Sequence, residues 1–215
     1  ILFVNRKEFL RLTGSSIALG AVGSVFPSIL KNETVLANID KYEHIVVLML
    51  ENRSFDNMLG YLYSPGEVPP GDYFNGVAGK NLSNPLNINP SDTVYSKDSV
   101  KVYPDTIMTN PSPDPGEEYP HVNTQLFGTI LPDSNKYRHI SQMQPPYNEP
   151  FPVPDTASMN GFVTDYIYYF KLFFGRYPKD DEYKIIMGCF PPTAVPVISK
   201  LAKEFAVCDN WFCSV

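Results

Sequence analysis

His44-Ile45-Val46-Val47-Leu48-Met49-Leu50-Glu51-Asn52-Arg53-Ser54 is the stretch on which the reading of the fold turns. From Ile45 to Leu50 it is an unbroken apolar run led by β-branched residues and flanked by polar ones. A strand buried on both faces of a parallel sheet has this pattern, because neither face alternates with solvent. Glu51-Asn52-Arg53-Ser54 breaks the run. Phe55 to Tyr63 then predicts a short helix with Phe55, Met58, Leu59 and Leu62 on one face and Ser54 as its N-cap.

Outward from that stretch, residues 64 to 110 dissolve into Pro, Gly, Asn and Ser without a repeat. Tyr73, Phe74, Val77, Leu82, Tyr95, Val100, Val102 and Tyr103 supply too many apolar anchors for a linker. The expectation is an ordered, irregular excursion with short strands. Glu118 to Phe127 reads as a helix, and residues 141–158 as a proline-rich connection. Met159 to Phe174 is dense in aromatics and predicts a helix. Asp165, Lys171 and Arg176 form no basic face on it, which favours core packing over a membrane-surface role. Thr193 to Phe205 has apolar residues at helical spacing with Pro196 in the first turn. Phe205-Ala206-Val207-Cys208 reads as a second buried strand, ending at Asp209. Strand, helix, excursion, helix, strand is an α/β pattern with insertions.

Residues 1–37 read as a leader: Arg6-Lys7-Glu8-Phe9-Leu10-Arg11 precedes a Gly/Ser/Ala-rich apolar run, and Val35-Leu36-Ala37 suits a cleavage site. The basic hexapeptide resembles a twin-arginine export motif with Lys7 in place of the second arginine. The run is too short and glycine-rich for a stable membrane span. The expected organisation is a signal peptide over residues 1–37 and part of a catalytic domain over residues 38–215, exported to the periplasm, the cell surface or the medium. The chain starts at Ile1 and stops at Val215 within an ordered-looking stretch, so both ends read as cut.

The 215 residues carry a net charge of -6. Four Lys/Arg and two acids in the leader contribute +2, which leaves -8 for the remainder. No basic stripe follows, which speaks against a nucleic-acid partner or standing attachment to anionic lipid. Cys189, Cys208 and Cys213 are an odd set that defines no disulfide framework and reads as small buried hydrophobes.

Ligands in open α/β sheets gather beyond the carboxyl ends of the strands, which is where Glu51 and Asn52 fall. A carboxylate beside an amide oxygen is a hard donor pair suited to a divalent metal ion. On an acidic protein such a cation would offset the charge of a phosphate. Taken alone, the pair is weak evidence, because Glu-Asn at a strand end is more often a plain turn.

The whole string from Ile45 to Gly60 closely resembles the opening signature of the bacterial phosphoesterase family. That family takes in phosphatidylcholine-type phospholipases C, plant non-specific phospholipases C and some acid phosphatases. Asp114-Pro115-Gly116-Glu117-Glu118-Tyr119-Pro120-His121 is similar to a second family segment, with Glu117 where many relatives have histidine. Met159-Asn160-Gly161-Phe162 and Ile186-Met187-Gly188 match lesser landmarks. Leu201 to Val215 resembles a string that in relatives runs into a Thr- or Ser-containing segment.

The resemblance implies an alkaline-phosphatase-like α/β sheet with helices on both faces, a long irregular insertion and an incomplete C-terminus. It implies that Glu51 and Asn52 are metal ligands. It also implies that His121 is catalytic, protonating a leaving oxygen or holding a phosphate oxygen, and that the nucleophile follows Val215. The implied function is hydrolysis of a phosphate ester, phospholipid or soluble, in the manner of a phospholipase C. An acid phosphatase of the same family and a catalytically silent secreted binding protein are the alternatives. A sulfatase-like relative would need a Cys or Ser nucleophile near the first strand, and none stands there.

Overall fold

The computed structural model describes residue 48, residues 52–86 and residues 98–210. The chain divides into two units, residues 1–52 and 53–215. Of the first unit only Leu48 and Asn52 are described, so the leader, Glu51 and, Leu48 apart, the strand expected at 44–50 lie outside the described residues. Among the described residues the second unit mixes helices with two small sheets, a composition compatible with the α/β class.

Helix α1 (Phe55–Leu59) starts where the sequence predicts, and the Ser54 hydroxyl accepts the Asn57 amide at 3.2 Å. Asn57 then ties the helix to strand β4 (Gly188–Cys189) and the residue after it. Its side-chain amide donates to the Gly188 carbonyl at 2.8 Å, and its carbonyl accepts from the Phe190 amide at 2.7 Å. The Arg53 guanidinium donates to the side chains of Asn57 and Asn110 and lies over the Phe190 ring, 5.1 Å from its centroid. Arg53, Ser54 and Asn57 of the opening signature therefore fasten one turn of helix.

The excursion contains β1 (Ser83–Pro85) antiparallel to β2 (Ser99–Lys101), and β3 (Tyr103–Pro104) parallel to β4. Val77 and Val100 are buried as anchors, whereas Tyr73 and Leu82 face solvent.

The aromatic-rich helix α3 (Phe162–Phe174) is the centre of the core. Val163, Tyr166, Ile167 and Phe170 pack with Val100, Tyr183 and Met187, supporting the core-packing expectation. Tyr183 belongs to the short helix α4 (Asp180–Tyr183), whose Glu182 is held down to about 2 by hydrogen bonds from Arg176 and the Lys179 amide. The N-cap of α3 is Gly161, which has no side chain to receive the first amides. Asn84 of β1 supplies one: its Oδ1 accepts from the Val163 amide at 3.4 Å, and its Nδ2 donates to the Met159 carbonyl at 3.1 Å. Gly161 is also where α3 meets helix α2 (Tyr119–Phe127); a Cβ there would overlap the Thr124 carbonyl oxygen. Only glycine permits that approach.

Residues 129–148 are held to α2 by side-chain amides in place of a ladder. Asn148 donates to the Pro120 carbonyl at 3.0 Å and to the Thr124 hydroxyl at 2.9 Å, and accepts from the Leu131 amide at 3.1 Å and from Asn135 at 3.0 Å. The Asn135 carbonyl oxygen receives the Gln144 amide at 2.9 Å. Asn148 adopts a φ of 66°, the left-handed conformation that asparagine tolerates better than most residues.

Two expectations are corrected at the C-terminal side. Helix α5 (Pro196–Glu204) forms with Pro196 in its first turn, but Val197 and Leu201 face solvent while Ser199 is buried. Residues 205–208 are not a strand, and Phe205 is 81% exposed. A strand buried on both faces needs neighbours to hydrogen-bond its two edges. Among the described residues no strand pairs with this segment. Cys208 is accordingly exposed, while Cys189 is buried as expected, its thiol pushed up to about 12 by burial and by the charges of Asp56 and Asp105.

Replacing Asn148 with Ala removes four side-chain hydrogen bonds: the partly buried Leu131 amide loses its acceptor, while the Pro120 carbonyl keeps the Thr124 hydroxyl, and an unmet donor costs ~1–3 kcal/mol. Urea unfolding of Asn148→Ala should show a loss of about 2 kcal/mol, against less than about 1 kcal/mol for a surface change such as Lys200→Ala.

Candidate functional site

Helices α2 and α3 pack through a buried pair of ionisable groups. His121 lies in the first turn of α2 and Asp165 in the first turn of α3. The imidazole Nδ1 and the Asp165 Oδ1 are 2.8 Å apart, and the residues are 3% and 4% exposed. The second carboxylate oxygen accepts from Gln125 Nε2 at 3.1 Å. The same Gln125 nitrogen donates to the Gly116 carbonyl at 2.7 Å, and the Tyr166 hydroxyl donates to the Pro113 carbonyl at 3.1 Å. These two bonds draw residues 113–118 over the pair. A side chain at Gly116 would overlap the His121 ring. On the other side the ring meets Tyr169 edge to face, with centroids 4.7 Å apart.

The geometry fixes which imidazole nitrogen is engaged. A carboxylate can only accept, so Nδ1 carries its proton toward Asp165. Nε2 is left buried with no hydrogen-bond partner among the described residues. Burial disfavours a charge on the ring. The hydrogen bond to Asp165, its negative charge and that of Glu118 outweigh burial, and the imidazole's affinity for a proton is raised. Burial likewise pushes the Asp165 carboxyl up, against the hydrogen bond and charge of His121 and the hydrogen bond from Gln125. The pair thus binds protons more readily folded than unfolded.

Asp165 and Gln125 are the residues that sequence reasoning missed. An acid on the buried turn of an aromatic-rich helix was the available signal, since a buried carboxylate needs a partner. Nothing in the sequence says that this partner is His121, 44 positions away.

Asn52 is exposed, with a φ of 76°, while Glu51 lies outside the described residues. The two donors together are hard oxygens and fit a divalent cation in kind. Among the described residues, no three of His, Cys, Asp and Glu gather as a further metal cage. Asp209, which follows the segment 205–208, accepts from the Asn75 amide at 2.5 Å and so links to the excursion.

The Phosphoesterase family model matches residues 42–215. The chain is 33% identical over 172 residues to non-specific phospholipase C3 of Arabidopsis thaliana, covering 80% of this chain and 26% of that protein. It is 32% identical over 171 residues to non-specific phospholipase C6 of the same plant, covering 80% and 24%. Non-specific phospholipase C4, also from Arabidopsis thaliana, is 31% identical over 173 residues, with 80% and 26% covered. The chain spans about a quarter of the length of these relatives. No solved structure matches it. With the family model spanning most of its length, the chain belongs to the phosphoesterase family.

Because folding raises the proton affinity of His121, its contribution to stability is fully present below the unfolded imidazole value of about 6.5 and is lost as pH rises through the folded value. An NMR titration of His121 should therefore give a midpoint above about 6.5. The difference in unfolding free energy between wild type and His121→Gln should shrink as pH rises through that midpoint.

Proposed function

We propose that the protein hydrolyses phosphoester bonds in the manner of a phospholipase C. The observation that carries this reading is the family match over residues 42–215, which takes in Glu51, Asn52 and His121. The relatives named phospholipase C support it across 80% of the chain. On the same reading, residues 38–215 are the N-terminal part of an alkaline-phosphatase-like catalytic domain, and residues 1–37 direct export. Among the described residues no helix is long and apolar enough to cross a membrane.

Glu51 and Asn52 would hold a divalent cation through their oxygens. When bound, such a cation offsets phosphate charge and favours the ionised nucleophile. A Ser or Thr following Val215 attacks phosphorus and forms a covalent phospho-enzyme. His121, protonated at Nε2, gives that proton to the leaving oxygen as the phosphorus–oxygen bond breaks. It recovers a proton from the water that later releases the phosphorylated product. The support for this role is the buried Nε2, held in a defined tautomer and without a hydrogen-bond partner among the described residues.

Full-length protein should release diacylglycerol and the phosphorylated head group from phosphatidylcholine, with activity lost on chelation and restored by a divalent cation. Glu51→Ala and Asn52→Ala should each lower kcat by roughly 100-fold or more. Turnover of p-nitrophenyl phosphate in preference to phospholipid would favour an acid phosphatase. No turnover of either substrate by folded protein would favour a silent binding protein.

A further inference from the structure

We propose that Asp165 is the positioning residue of the phosphoesterase reaction, fixing the His121 tautomer so that Nε2 carries the transferable proton; this rests on the reading of His121 given above. Three observations converge on it. The Nδ1–Oδ1 distance of 2.8 Å directs one ring nitrogen to the carboxylate. Gln125 holds the other carboxylate oxygen at 3.1 Å, so the carboxyl group cannot swivel away. Nε2 has no partner among the described residues although it is buried. A histidine kept only for packing has its buried nitrogens satisfied. Here the supporting side is fully engaged and the opposite nitrogen is left over, an asymmetry suited to meeting a ligand oxygen.

The charge environment agrees with that role. The titratable groups facing the ring are Asp165 and Tyr169 from α3 and Glu118 from the N-cap of α2. The two acids favour the imidazolium, which is the form that protonates a leaving oxygen. After transfer the ring is neutral, with Nδ1–H still donating to Asp165, so one proton has moved from Nε2 to the leaving oxygen and the carboxylate is unchanged. Asp165 acts through His121 and does not itself touch the substrate.

The test is the pH dependence of kcat in full-length wild type, Asp165→Asn and Gln125→Met, with the His121 ring signals followed by NMR in the same proteins. Asp165→Asn keeps an oxygen for Nδ1–H but removes the charge. Its alkaline limb should move to lower pH together with the His121 midpoint, and kcat at alkaline pH should fall about tenfold or more. Gln125→Met strips a hydrogen bond from the carboxylate, makes it a stronger acceptor and should move both readouts to higher pH. These opposite shifts keep the test decisive where Asp165→Asn fails to fold, since Gln125→Met is then read against wild type. A folded Asp165→Asn with an unshifted pH profile, or a Gln125→Met protein without the upward shift, overturns this proposal alone. No phosphoester turnover by folded wild type overturns the phosphoesterase reading and this proposal with it.

Discussion

Burying an imidazole and a carboxylate between two helices imposes a condition on everything around them. Neither group tolerates burial alone, because each would be an isolated charge or an unpaired polar group in a low-dielectric interior. Joined at 2.8 Å, Nδ1 and Oδ1 satisfy one another, provided α2 and α3 stay in close register. That register is set by Gly161, where the absence of a side chain admits the Thr124 carbonyl, and by Asn84, which anchors the start of α3 from the neighbouring strand. The surrounding hydrogen bonds from Gln125 and Tyr166 then bring the 113–118 segment down over the pair.

The local elements were the legible part of the sequence. Ser54 as a cap, the helix read at 118–127, the aromatic helix and the proline in the first turn of α5 all follow from short-range chemistry, and all four form, with Glu118 serving as the N-cap of α2 and not as its first residue. The aromatic helix begins at Phe162 and not at Met159, because Met159 takes a φ of 52° in the turn that leads to Gly161. What failed was tertiary. Residues 205–208 have strand composition, yet a buried strand is defined by its neighbours, and composition does not supply them.

The candidate site divides in the same way. His121 was visible as one of three histidines and through its family segment, but its burial and its partner were not. A contact across 44 positions depends on how two helices pack, and helical periodicity within either one is silent about that. Glu51 and Asn52 suggest themselves as a donor pair because they are adjacent in the chain, and with Glu51 outside the described residues that pairing stays a reading of the sequence.

The amide network around Asn148 gives the irregular 129–148 segment a chemical clock. Slow deamidation would turn the Asn148 side chain into a carboxylate, and asparagine is among the thermolabile residues. The nitrogen that now donates to the Pro120 carbonyl and the Thr124 hydroxyl would become an oxygen facing a carbonyl oxygen. Restraint by several hydrogen bonds hinders the backbone rearrangement through which that reaction passes. A residue whose ageing would break this segment's tie to α2 is thus also held by four side-chain hydrogen bonds against it.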